Sequence, residues 1–118
     1  MDLKTCYEQL GGDYADVMGR LRQEDRVAKF LQLFPEDENF QLLTRALGEQ
    51  DWSVAFRAIH SIKGVALTLG LSRLADSSSQ LTEVLRPGAP TRDPQPLYEA
   101  VKEDYDTTVA AIGALDNI

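Results

Sequence analysis

The chain has 118 residues, with 12 Lys plus Arg against 19 Asp plus Glu and a formal charge of −7. That length suits one domain able to bury its own core without metals or disulfides, and the charge repels phosphate backbones and anionic membrane surfaces, so nucleic acid is not an expected partner. Cys6 is the one cysteine and the start MDLKTCYEQL lacks the basic flank and apolar core of an export signal, so no internal disulfide forms and cytoplasmic residence is expected.

Glycines and prolines divide the chain into helical segments. Residues 2–10 close at Gly11 and Gly12, and Asp13 can cap a second short segment carrying Tyr14, Val17, Met18 and Leu21, so residues 1–23 read as an N-terminal helical prelude. Residues 24–34 place Val27, Phe30, Leu31 and Phe34 at helical spacing before Pro35, which interrupts a regular backbone ladder. From Asp37 the stripe Phe40, Leu43, Ala46 and Leu47 runs to Gly48, expected as a left-handed C-cap, and Asp51 is placed to cap the next helix. That helix carries Trp52, Ala55, Ile59, Ile62, Ala66 and Leu69 at spacings of three and four, and Gly70 ends it. Ser72 is expected to cap its partner, whose face Leu74, Ser78, Leu81 and Leu85 runs to Pro87-Gly88. A proline-rich loop spans 87–96, within which Asp93-Pro94 suits the N-cap and first position of a last helix reaching about Leu115. Val101, Tyr105, Val109 and Ile112 form the buried stripe of that helix.

No stretch alternates long enough to make a strand, and VALTLGL at residues 65–71 falls far short of the roughly 18 apolar residues that cross a bilayer. The expected fold is all-α. A single domain over 1–118 would hold its bundle helices in residues 24–115, as an up-and-down antiparallel four-helix bundle with short N-terminal helices.

At roughly 100° per residue, His60 lies about 130° from the centre of its helix's core stripe and faces outward. Ser53, Arg57, Ser61, Gly64 and Thr68 share that sector. Gly64 sits one turn on, where a larger side chain is expected to crowd the imidazole, and its cost of about 1 kcal/mol relative to Ala is hard to justify by packing at an exposed position. Arg57 and Lys63 bracket His60 at three residues on either side, an arrangement that suits a bound phosphoryl group. A neutral imidazole nitrogen is a competent nucleophile towards phosphorus near neutral pH. Phe56 and Leu67 lie within about 40° of the histidine direction, and could present apolar surface to a partner. On residue types alone, a helical adaptor with an incidental histidine stays open.

The stretch HSIKGVALTLG, residues 60–70, resembles the His-x-x-Lys-Gly motif of histidine-containing phosphotransfer (HPt) domains of bacterial two-component phosphorelays. The similarity runs over about residues 24–112, through Asp51-Trp52, AFRAIHSIKG, the Gly70-Leu71 turn and LADSSSQLTEVLR. It implies that His60 accepts a phosphoryl group from a receiver-domain aspartate and passes it to another receiver, with Lys63 stabilising the group and Gly64 keeping the approach open. It further implies a monomeric phosphocarrier that is not itself an enzyme. Such a carrier binds no cofactor, takes Mg²⁺ from the receiver, and works with response-regulator receivers and a sensor or hybrid histidine kinase.

Arg57, Ser61, Phe56, Leu67 and Thr82 make up the wider neighbourhood. Some members of that family orient the ring with glutamine or glutamate 22 residues after the histidine, where this chain has Thr82. Gln80 points roughly 200° away from that direction. The phosphoacceptor domain of a chemotaxis-type histidine kinase has a similar motif and is the nearer alternative, although this chain is too short to add an ATP-binding domain. No Walker glycine loop is present, and Gly11-Gly12 alone is no phosphate cradle. One histidine and one cysteine lack soft-ligand metal spacing, and Glu36-Asp37-Glu38 fits a solvated helix start better than a calcium loop.

Overall fold

A computed structural model describes residues 1–116. Among these residues the protein is all-helical, with no strand: α1 (Leu3–Leu10), α2 (Tyr14–Leu21), α3 (Glu24–Leu33), a 3-10 turn (Phe34–Glu36), α4 (Asn39–Gly48), α5 (Trp52–Thr68), α6 (Ser72–Leu85) and α7 (Gln95–Gly113). Local chemistry explains most boundaries. Asp13 caps α2 by accepting from the Asp16 N–H at 2.9 Å, and Asp51 caps α5 through a longer contact of 3.4 Å from Val54 N–H. Pro35 lies inside the 3-10 turn, where α3 gives out.

Three expected caps are displaced. Gly48 is the last residue of α4 and not left-handed. Gln50 takes that conformation at φ 56°, while the Asp51 N–H returns to the Ala46 carbonyl at 2.8 Å. The cap thus sits against Asp51, which the next helix needs as its own N-cap. Ser72 is the first residue of α6 and makes no capping bond, because buried Leu71 holds the cap position as part of the core. Before α7, Asp93 accepts from the Gln95 N–H at 3.0 Å, so Pro94 occupies the cap rather than the first helical position. Pro96 falls in the first turn, where its missing N–H costs nothing.

Helix α5 packs between α4 and α6, and α6 packs on α7. Contact between α4 and α7 runs through large side chains: Phe40 stacks on Tyr105 at 4.2 Å and on Tyr98 at 5.9 Å, and the Thr44 and Tyr98 hydroxyls meet at 2.7 Å. Leu43, Ile59, Leu74, Leu81, Leu85 and Val101 are sealed in the core between these helices. Ser78 Oγ lies among them without a hydrogen-bond partner among the described residues.

The prelude does more than cover α7. A helix leaves its last carbonyls unpaired, and residues 1–23 answer those at the end of α5. Tyr7 Oη donates to the Leu69 carbonyl at 2.6 Å, the Asp13 N–H donates to Gly70 O at 2.9 Å, and the Arg20 guanidinium donates to the carbonyls of Leu67 and Thr68. The close approach needs two glycines. A Cβ on Gly12 would stand 2.8 Å from Gly70 O, and one on Gly70, already at φ +67°, would stand 2.8 Å from Asp13 O. Burial pushes the Tyr7 phenol's pKa well above its ordinary value, which keeps it a donor. Cys6, sealed beside it, has its thiol pushed up by the same burial.

Replacing Tyr7 by Phe leaves the buried Leu69 carbonyl without its donor and is expected to cost about 1–3 kcal/mol. Urea denaturation of the two proteins measures the difference, and equal midpoints would refute the clamp.

Candidate functional site

Ala55, Ala58, Ile59, Ile62 and Ala66 point α5 into the core, and the three alanines let the flanking helices come close. What remains is a narrow solvent-facing strip. Ser53, Arg57, His60, Ser61, Gly64, Leu67 and Thr68 are exposed, with Phe56 and Lys63 half-buried at its edges. The strip is the one expected from periodicity, and it brings His60, Arg57, Ser61, Lys63 and Gly64 onto one surface. Arg57 and Lys63 form no ion pair among the described residues, whose side-chain bridges are Arg20–Asp16, Arg86–Glu83 and Lys102–Asp106. Two cations beside the imidazole are therefore available to an incoming anion.

Two expectations change. Thr82 is fully buried and its hydroxyl donates to the Ser78 carbonyl at 2.7 Å, so it offers nothing to a docking partner. The cause is register: Thr82 adjoins Leu81 on the core side of α6, and a hydroxyl there is satisfied by its own helix backbone. Gln80 is exposed but lines a separate depression with Asp76, Thr91 and Arg92. The second change concerns Gly64, where an added Cβ would meet nothing within 4 Å. A methyl group there does not crowd the resting imidazole. The opening faces solvent.

An apolar groove runs beside the histidine strip. Leu21, Phe30, Leu33, Phe34, Val65 and Leu69 form its walls, and Ser61, Gly64, Thr68 and Asp37 share its lining. Phe30 and Leu33 are 46% and 54% exposed, and Leu67 nearby is 53% exposed. Phe30, grouped by helical spacing with Val27, Leu31 and Phe34, thus faces outward while those three are buried. Phe30 and Leu33 lie three residues apart in addition to the buried set Val27, Leu31 and Phe34, so α3 has a wider apolar arc than one core contact requires. That surplus was the available signal for the groove.

On the opposite side of the strip, the Phe56 ring lies 5.8 Å from the imidazole. Arg86 stands over Phe56 and pairs with Glu83 on α6. The hydrogen bond from Arg86, then the charges of Arg86 and Lys63, hold the Glu83 carboxyl below its ordinary range. Among the described residues, no group of three or more His, Cys, Asp or Glu side chains is arranged to hold a metal, and no helix is long and apolar enough to cross a membrane.

The family model of the Hpt domain matches residues 27–111, from within α3 to near the end of α7. The match includes the whole histidine strip and leaves out α1 and α2. No curated protein and no solved structure matches the chain.

The empty space at Gly64 separates stability from function in a single substitution. Gly64→Ala removes a poor helix former without creating a clash, and is expected to raise stability by up to about 1 kcal/mol. A loss of stability in urea denaturation would show that the chain itself needs the glycine.

Proposed function

The chain belongs to the Hpt domain family, whose members are phosphocarrier modules working with histidine kinases and receiver domains in phosphorelay signalling, and we propose that His60 is its phosphoacceptor. The observation that carries the reading is an exposed imidazole on the solvent-facing strip of a core-packed helix, with open space at Gly64 and with Arg57 and Lys63, which form no ion pair among the described residues, on the same surface. In this reading a receiver docks so that its aspartyl phosphate lies in line with an imidazole nitrogen. The P–O bond to the aspartate breaks as the P–N bond forms, through a loose transition state, and the reverse sequence delivers the group to a second receiver. Arg57 and Lys63 offset charge on the carried group. Mg²⁺ held by the receiver neutralises charge on its side of the transfer.

The apolar groove gives the receiver a place to dock. It is continuous with the strip, since Ser61 and Gly64 belong to both, and its half-exposed Phe30 and Leu33 offer apolar area that docking would remove from water. Leu67, also exposed, belongs to the histidine strip itself. Two further points complete the reading: α4 to α7 form an up-and-down antiparallel four-helix bundle, and the protein is a monomeric, single-domain cytoplasmic carrier. Sequential packing of α4 on α5, α5 on α6 and α6 on α7, with the Phe40, Tyr98 and Tyr105 stack closing the ring, supports the bundle.

Incubation with a phosphorylated receiver is expected to label the wild-type chain with an acid-labile, base-stable phosphate, and His60→Gln is expected to take no label. Label persisting in that variant sinks the assignment. Leu33→Glu places a charge on the groove rim and is expected to raise the receiver concentration needed for half-maximal transfer by about tenfold or more, the equivalent of losing one buried leucine contact. A titration unchanged from wild type would show that docking lies elsewhere.

A further inference from the structure

An imidazole at an exposed helix position samples several rotamers unless a neighbour holds it. The side chains of α5, α6 and their caps that hydrogen-bond among the described residues are those of Asp51, Thr68, Ser77, Thr82 and the Arg86–Glu83 pair, and His60 is not one of them. The aromatic neighbour of the imidazole is Phe56, one turn earlier on α5, with ring centroids 5.8 Å apart and planes at 50°. That separation lies within the range of tilted aromatic pairs. Phe56 is packed against the core on one side and carries the Arg86 guanidinium 5.5 Å from its ring centroid on another. Arg86 is held in turn, because its Nε and Nη2 both donate to Glu83 Oε2, at 2.9 and 2.7 Å.

The geometry points to Phe56 and Arg86 as positioning residues for phosphotransfer, through which α6 holds the imidazole of α5 by an aromatic ring clamped under a guanidinium. This assignment rests on the reading of His60 as phosphoacceptor. An aromatic contact restricts the ring without engaging either nitrogen in a hydrogen bond. One nitrogen stays available to attack phosphorus and the other to be met by the docked partner. Glu83 serves at one remove, by keeping Arg86 over Phe56.

His60 is the only histidine, so its two carbon-bound imidazole protons give the only histidine ring signals in an NMR spectrum of the full chain. Phe56→Leu is expected to abolish the ring-current displacement of those signals, Arg86→Ala to shift them part of the way in the same direction, and Phe56→Tyr to leave them near their wild-type positions. In parallel, the saturating rate of transfer from a phosphorylated receiver is expected to fall about two- to fivefold in Phe56→Leu and Arg86→Ala, the range that an exposed cation–π contact can shift a rate. The receiver concentration for half-maximal transfer should hold, and Phe56→Tyr should restore the rate. Arg86 is exposed, so Arg86→Ala keeps the test sound should Phe56→Leu unfold. Ring signals unmoved in Arg86→Ala, or saturating rates unchanged in both variants, would overturn the positioning role. Label persisting in His60→Gln would instead remove the phosphoacceptor reading, and the positioning role with it, whatever the ring signals do.

Discussion

Helix α5 must be buried over most of its circumference and yet leave one imidazole in water. The two demands meet because its inward residues are small or compact: Ala55, Ala58 and Ala66 let α4 and α6 approach closely, while Ile59 and Ile62 fill the space between them. Each fully buried isoleucine contributes about 1.5–3 kcal/mol, so a rotation of α5 large enough to hide His60 would expose side chains that the fold relies on. The outward strip is therefore fixed by what lies behind it. His60 is displayed because nothing on the other side of the helix can be.

The end of the same helix is secured from a distance. Leu69 and Gly70 carbonyls meet Tyr7 Oη and the Asp13 N–H, and Arg20 takes those of Leu67 and Thr68, so α1 and α2 complete the hydrogen bonding that a terminating helix leaves open. This support lies outside the segment matched by the Hpt family. It also bears on the surface used for docking in the proposed reading, since Leu21 at the end of α2 walls the groove and the turn anchored by Arg20 carries Leu67. Fold stability and partner surface thus share residues in the first two helices.

Features governed by neighbours within one or two turns were legible in the sequence. Outward projection of His60, the caps at Asp13 and Asp51 and the end of α5 at Gly70 all follow from local geometry, and each is found where spacing puts it. Features set by distant partners were not legible. Gly12 must lack a side chain because Gly70 O crosses it, and Thr82 is buried because α6 turns that flank inward. Phe30 is exposed although helical spacing groups it with the buried Val27, Leu31 and Phe34. Even the cap error at Gly48 has this character: Gln50 takes the left-handed conformation where Asp51 must begin the next helix, so demands from two helices meet at one turn.

In the proposed reading, a carrier that both accepts and donates gains little from interactions favouring one bound state strongly over the other. A dedicated pocket around the phosphoryl group would trap it. The strip instead offers two cations, exposed Arg57 and half-buried Lys63, whose attraction for an anion is softened by water and salt, and a glycine that leaves the approach open to a large partner. Orientation of the ring is then the service the chain itself can render at no cost to reversibility, because a fixed imidazole lowers the barrier equally for transfer in either direction. A rigid helix, clamped at its end by α1 and α2 and bordered by the Phe56–Arg86 contact, has the properties that such a role requires.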